Sequence, residues 1–432
     1  MEGLFIKLLN NSLSASWLVL AVFLLRPLLR KAPKNISCLL WGLVGLRLIL
    51  PVRLESRFSL VPSAVTVSPN IIYANNPVID SGISPLNQLI NPILSESFRA
   101  VPHASANPLQ IWLYIAAVLW LCGIAALLLY SLVSYLRLKR TVAKAVVLED
   151  GVWQCAGIGT PFVLGLLNPH IYLPVGLPEK DLPFVLAHER AHIKRKDPWL
   201  KFLGFLLLSL YWFNPLLWAA YALLCRDIEL ACDEAVLRSE GTEIKKAYSE
   251  ALLHCGMDRK HAVAGPVAFG ENGIRQRIKS ILRYKKPALW IVIAAGAICA
   301  ALALCFLTDP AGLRLNLEQN PISAAESVDL RLSTPYEREM NPAQLEELSS
   351  RLGLLGSSRK SAQYESMTSV YRITATLENG EVLLISGYSA NEDFVDIQYG
   401  GTRYVSEDAD FNAYVNGFCI GADTEEASRA GE

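Results

Sequence analysis

Four stretches of this 432-residue chain are apolar over about the length needed to cross a bilayer, and no other feature limits its possible folds as strongly. A hydrocarbon core of about 30 Å takes about 20 helical residues. The stretches cover residues 4–25, 36–52, 111–136 and 288–308. Helices are expected for all of them, because an open strand edge cannot satisfy its backbone in lipid. Lysine and arginine follow the first stretch (Arg26, Arg30, Lys31, Lys34) and the third (Arg137, Lys139, Arg140, Lys144). Six more precede the fourth (Arg275, Arg277, Lys279, Arg283, Lys285, Lys286). Short cytoplasmic loops retain such charges, and one topology satisfies all three clusters. The N-terminus, the loop 53–109 and the tail 309–432 lie outside, while 137–287 lies inside. A cleaved signal peptide is not expected, since its charge would precede the apolar run instead of following it.

Composition supports this reading. The chain is 52% hydrophobic and 19% charged, with 40 acidic and 40 basic side chains, which excludes a basic nucleic-acid binder and an acidic disordered chain. Cysteines such as Cys38, Cys122, Cys225 and Cys299 lie in or beside apolar runs, so a disulfide scaffold is not expected. Arg47, inside the second stretch, is expected to snorkel toward the surface or to neutralise a partner carboxylate. The Pro-, Ser- and Asn-rich loop 53–109 reads as irregular. In the tail, "NPAQLEELSSRLGLL" suits a helix capped by Asn341. "SVYRITATLENGEVLLISGY" alternates around a Glu-Asn-Gly turn as a hairpin does, and 394–399 and 402–405 read as strands.

The inner segment, 141–287, opens with strand-like sequence broken by Gly and Pro, after which a helix should begin with Asp181 as N-cap and Pro183 in its first turn. That helix carries "VLAHERAHIKRKD". Residues four apart share a helix face, so His188 and His192 can present imidazole nitrogens to one ion. Zinc takes such ligands, and a catalytic site adds a third protein ligand and leaves one position for water. Glu189 would then act on that water as general base. A solvated, charged helix face is the competing reading.

Downstream, "CRDIELACDEAVL" places Glu229 and Asp233 on one face of another helix with apolar neighbours. Glu229 can complete a His-His-Glu set, and Asp233 can orient a ligand histidine. An ordinary acidic helix surface is the alternative. Cys232 is either a zinc thiolate or, preferably, a small buried side chain. Between the two helices runs the apolar segment 199–224, divided at Asn214-Pro215 into pieces too short for two crossings. A single crossing would put Glu229 on the opposite side from His188. If one ion binds all three residues, the segment must dip in and return or lie along the membrane face.

Several motifs in order, "LWGLVGLRLILP", "PFVLGLLNPHIYLP", "LAHERAHIKRKDPW", "WFNPLLW" and "RDIELACDEAVL", resemble the BlaR/MecR-type membrane metallopeptidases over residues 1 to about 308. The resemblance implies a multi-pass α-helical membrane protein with a cytoplasmic α+β zincin-like (gluzincin-type) peptidase domain and a small extracytoplasmic α+β C-terminal domain. It implies zinc on His188, His192 and Glu229, with Glu189 catalytic. By similarity to related zinc peptidases, Phe162, Val163, Leu164 and Gly165 form the edge strand that takes substrate backbone by β-augmentation. It also implies a circuit in which an outer event activates the inner peptidase, which cleaves itself or a cytoplasmic repressor. The expected partners are that repressor, an extracellular ligand, the bilayer and a second copy of the chain, with no direct nucleic-acid contact. A non-catalytic receptor and a housekeeping membrane protease are the alternatives, and an intact Glu189 argues against the first.

The tail departs from the antibiotic sensors of this family. It is about half the size of their penicillin-binding domain, and although "SSRK" (357–360) matches S-x-x-K and "YSAN" resembles a second element, no K-T-G follows. Acylation by β-lactams is therefore not expected.

Overall fold

In the computed structural model the long apolar runs are helices, as lipid demands of a backbone that must satisfy its own polar groups. The structure describes residues 1–50, 108–257 and 272–310 without interruption, and parts of 55–98 and 317–415. In chain order it begins with α1 (Glu2–Leu25), a 3-10 turn (Leu28–Lys31), α2 (Lys34–Ile49), the short β1 (Glu55–Ser56), α3 (Ser84–Ser97) and α4 (Pro108–Val142). Four strands follow: β2 (Val146–Glu149), β3 (Val152–Cys155), β4 (Phe162–Leu164) and β5 (His170–Pro174). Next come α5 (Leu182–Arg195), α6 (Asp197–Leu210), α7 (Pro215–Ser239), α8 (Lys245–Met257), α9 (Asn272–Arg283) and α10 (Leu289–Phe306). The last part holds β6 (Asp309–Pro310), β7 (Ile322–Asp329), β8 (Tyr336–Glu339), α11 (Pro342–Gly353), β9 (Arg359–Lys360), β10 (Tyr371–Leu377), β11 (Val382–Gly387), β12 (Val395–Tyr399) and β13 (Thr402–Ser406).

Among the described residues three helices are long and apolar enough to cross a membrane: α1, α4 and α10. The second apolar stretch, expected to span over 36–52, is not one of them. Its helix α2 has 16 residues and stops at Ile49, giving about 24 Å at 1.5 Å per residue, short of the about 30 Å of a hydrocarbon core. Leu50 turns extended because it precedes Pro51, whose ring crowds the residue before it out of the helical region. Arg47 is buried in α2.

The chain divides into two compact units, residues 1–52 with 112–303, and 53–111 with 304–432. In the first, β2–β5 form a four-stranded sheet of order β2-β3-β5-β4, with β3 and β5 parallel and β4 antiparallel to β5. One face packs Val152, Ile171 and Leu173 against Val185 and Leu186 of α5. The tight turn after β4 requires a glycine. Gly165 has φ +109°, and a Cβ there would lie 2.3 Å from the Asn168 carbonyl oxygen. Asp181 stands at the N-cap position of α5 but makes no side-chain cap bond; its carboxylate meets His254 Nδ1 at 2.7 Å instead.

The segment 199–224 does not run straight. α6 and α7 double back on each other: Gly204 lies against Tyr221 and Leu224, and the Tyr221 hydroxyl donates to Lys201 O at 3.2 Å. The reversal has a chemical cause in Asn214-Pro215. Pro215 suits the first helical position, and the Asn214 carboxamide oxygen caps the Leu216 N–H at 2.9 Å. Its Nδ2 donates to Ser12 Oγ (2.7 Å) and Ser16 Oγ (2.8 Å) of α1. The hairpin is thereby fastened to α1, and Glu229 returns to the side from which α6 departed.

The second unit holds an antiparallel sheet of order β8-β7-β10-β11-β12-β13-β9. Tyr371, Ile373, Ala375 and Leu377 alternate inward along β10 as a half-buried strand requires, and Leu348 and Leu352 of α11 cover them. A reciprocal capping pair starts α11: Gln344 N donates to Asn341 Oδ1 and Asn341 N to Gln344 Oε1, both at 2.9 Å. The loop 53–109, expected to be irregular, contains α3, whose Leu86, Leu89, Ile90 and Ile93 repeat at helical spacing. It also contributes β1, which pairs with β6 at Glu55 and Asp309. Ser357 and residues 388–391 of the two penicillin-site resemblances lie outside the described residues.

Asn214→Ala removes one helix cap and two buried hydrogen bonds, together about 2–3 kcal/mol. A lower melting temperature of the detergent-solubilised protein, by several degrees, is expected in a tryptophan-fluorescence melt, and an unchanged one would remove Asn214 as the clamp.

Candidate metal centre

One turn of α5 carries His188 and His192 on the face turned to α7, with Nε2 atoms 3.2 Å apart. From α7, Glu229 brings Oε2 to 3.5 Å from the first Nε2 and Oε1 to 3.6 Å from the second. A tetrahedral ion bound to nitrogen and oxygen at about 2.0–2.2 Å separates its ligand atoms by about 3.3–3.6 Å. The two ring nitrogens and the Glu229 carboxylate therefore approach one another at about the spacing that ligands of such an ion have. Cys232, fully buried, lies beside the same imidazoles, and His188, His192 and Cys232 form a group whose donor atoms fall within 4.8 Å of one another. Its thiol donates to His188 O at 3.3 Å. A small buried side chain was expected here; the structure also puts its sulfur within reach of the pair.

The outer nitrogens of both rings are anchored. His192 Nδ1 meets Asp197 Oδ2 at 2.8 Å. His188 Nδ1 meets the Tyr248 hydroxyl at 2.9 Å, and that hydroxyl donates to Asp233 Oδ1 at 2.7 Å, so its oxygen is left to accept the ring proton. With Nδ1 so engaged, each imidazole is oriented to present Nε2 toward Glu229. Arg277 of α9 donates to Asp233 from Nε (2.9 Å) and Nη2 (2.7 Å); its Nη1 lies 3.4 Å from Glu229 Oε2 and its Nη2 3.2 Å from His188 Nε2. Lys201 of α6 reaches Glu229 Oε1 at 3.0 Å. Four helices besides α5 therefore meet at this point.

The electrostatics favour positive charge between the rings. Burial alone would lower both histidines, but Glu229 and the hydrogen bond to Asp197 outweigh it at His192 and push that group up to about 10. At His188 Tyr248, Cys232 and the Asp233 hydrogen bond likewise outweigh burial. Burial would raise the Glu229 carboxyl, yet Lys201 and His192 hold it well below the usual carboxylate range. Arg277 does the same for Asp233 against the same penalty. A field that favours a proton on Nε2 also favours a metal cation there. Glu189, next to His188, is buried, and no described residue offers its carboxylate a hydrogen bond or ion pair. Phe162, Val163 and Leu164 form β4, one of the two edge strands of its sheet, with Gly165 in the turn that follows.

Asp197, Tyr248, Arg277 and Lys201 did not stand out in the sequence. Asp197 closes the "HIKRKD" run, but its approach depends on Lys196, whose left-handed φ of +58° reverses the chain between α5 and α6. Glycine usually takes that position, so spacing gave no sign of a turn. Tyr248 and Arg277 lie 60 and 89 residues from His188, and only packing brings them in.

Two apposed donor-bearing helices beside a small sheet, in a chain with membrane-length helices, describe a membrane-associated protein with a candidate metal centre. A family model described as BlaR1 peptidase M56 matches residues 6–281, and the chain belongs to that family. It is 28% identical over 158 residues to "Regulatory protein BlaR1" of Bacillus licheniformis, a match covering 33% of this chain and 26% of the relative. It is 29% identical over 137 residues to "Methicillin resistance mecR1 protein" of Staphylococcus aureus and of Staphylococcus epidermidis, covering 30% of this chain and 23% of each. The chain thus spans about a quarter of the length of these curated relatives. The family and the three apolar helices fit a membrane protein with a peptidase domain.

Asp197→Asn removes the carboxylate that fixes the His192 ring. Affinity for a divalent transition metal should fall about 10–100-fold, measured by competition with a chromophoric chelator. Unaltered affinity would show that Asp197 does not orient a ligand.

Proposed function

We propose that this chain is a membrane-held zinc endopeptidase that works as a sensor-transducer. The observation that carries the reading is the convergence of His188 Nε2 and His192 Nε2, 3.2 Å apart, on the Glu229 carboxylate, which brings Oε2 to 3.5 Å from the first and Oε1 to 3.6 Å from the second. His188, His192 and Glu229 would hold the zinc, and the donor set fits it: two neutral imidazoles with anchored Nδ1 atoms and one ionised carboxylate. Bound zinc supplies an acidified water and polarises a carbonyl. Glu189, a buried carboxylate without a described partner, takes the proton from the attacking water and delivers it to the leaving nitrogen. Asp197, Tyr248 and Asp233 keep the two rings in the tautomer that leaves Nε2 available, while Lys201 and Arg277 keep Glu229 ionised. Substrate backbone adds to the open edge of β4, beside α5, as an extra strand, which positions a peptide bond without reading its side chains.

The lysine and arginine clusters flanking the apolar helices support a cytoplasmic position for this centre, with residues 309–432 outside. The names of the relatives, a regulatory protein and a resistance protein, support a role in signalling. The cleaved protein is then the chain itself or a cytoplasmic repressor, and the signal arrives through the outer unit. β-Lactam acylation is not part of this reading.

Glu189→Ala should reduce cleavage of the chain or of a co-expressed repressor about 100-fold or more while metal content stays the same. Identical cleavage patterns from variant and wild type would end the catalytic claim. Reporter fusions after Arg140 and after Asp309 should read inside and outside respectively, and the reverse pattern would overturn the sidedness.

A further inference from the structure

A second feature of the first unit lies on a different face of α7 from Glu229 and takes no part in the chemistry above. The ends of α1, α2, α7, α9 and α10, with the turn Leu28–Lys31, line an open cavity of about 1390 Å³. That exceeds the about 300–1,000 Å³ of ordinary small-molecule pockets. Ten lysines and arginines line it, against two carboxylates, Asp227 and Glu234. Both acids are already engaged. Asp227 accepts from Arg26 (2.5 Å) and from Trp41 Nε1 (2.9 Å), and Glu234 accepts from the Lys34 backbone N–H (2.8 Å). Among the described residues, Arg30, Arg275, Lys279, Arg283, Lys285 and Lys286 have no carboxylate partner. Arg275, Lys279 and Arg283 recur every fourth residue, so α9 presents them as one stripe on the side away from Arg277.

The rest of the lining is apolar and comes in part from helices of membrane length. Phe23 belongs to α1, Ile291 to α10, and Leu223 and Leu230 to α7. A site that is cationic at one end and apolar along membrane-length helices matches an amphiphile with an anionic head. A free phosphate or nucleotide would satisfy the cations and leave the apolar wall in water. We propose that this cavity is a binding site for an anionic phospholipid, whose phosphate sits among the α9 stripe and Lys285–Lys286 and whose chains run along Phe23 and Ile291. The occupant enters from the bilayer, and the site is separate from the metal centre.

The test uses the full-length protein in detergent, titrated with short-chain phosphatidylglycerol while tryptophan fluorescence is read. Phosphatidylcholine of the same chains and glycerol phosphate are titrated in parallel. Each Lys or Arg near an anionic headgroup contributes enough that loss of three should weaken binding tenfold or more. Phosphatidylglycerol is expected to bind at least about tenfold tighter than either comparison compound. R275Q/K279Q/R283Q should abolish that preference, and K285Q/K286Q, which lies between helices and leaves both intact, should reduce it. R137Q/K139Q/R140Q removes equal charge from the end of α4, outside the cavity, and should leave the preference unchanged. Equal binding of the two lipids would overturn the proposal. So would glycerol phosphate binding as tightly as the lipid, or an equal loss from the α4 variant.

Discussion

Two imidazoles buried 3.2 Å apart cannot be left to themselves, and much of the first unit answers that constraint. Buried polar rings need partners, so each has one on its outer nitrogen. Asp197 serves one and the Tyr248–Asp233 chain the other. Those buried carboxylates need cations in turn. Arg277 answers Asp233 from α9, and Lys201 answers Glu229 from α6. Helices α5 to α9 converge because a chain of charge compensation runs through them; apolar packing alone, as in the cluster of Val236, Leu237, Tyr248 and Ile281, has no such preference for direction.

Helix α7 carries a second consequence of the same economy of charge. One face supplies Glu229, Cys232 and Asp233 to the centre. Another supplies Asp227 and Glu234, which hold Arg26 beyond α1 and the N–H of Lys34 at the start of α2. A single helix therefore ties the centre to the ends of two apolar helices. Asn214 ties its other end to α1. Movement of α1 relative to α7 would have to break buried polar contacts at both ends, so the two are expected to move together.

Much of this was legible in the residues. "HERAHIKRKD" and "ELACD" put their donors on single helix faces by spacing alone, because the period of an α-helix leaves little choice. Alternation in β10 and the Asn341 capping pair were equally local. The second apolar stretch forms a shorter helix than its 17 residues suggested, because one proline after Leu50 sets the helix end. The loop 53–109 misled in the opposite sense, since its prolines hid the helical spacing of α3.

By itself the sequence determined which donor side chains share a helix face and which apolar runs are helical, since both follow from residue type and from spacing within one element. Only the tertiary structure decided that the segment after α5 doubles back, bringing Glu229 beside His188, and that Tyr248 and Arg277 complete the surroundings of the ring. Those contacts join residues dozens of positions apart. They exist because buried charge must find a partner somewhere in the fold, and no local pattern records which partner that will be.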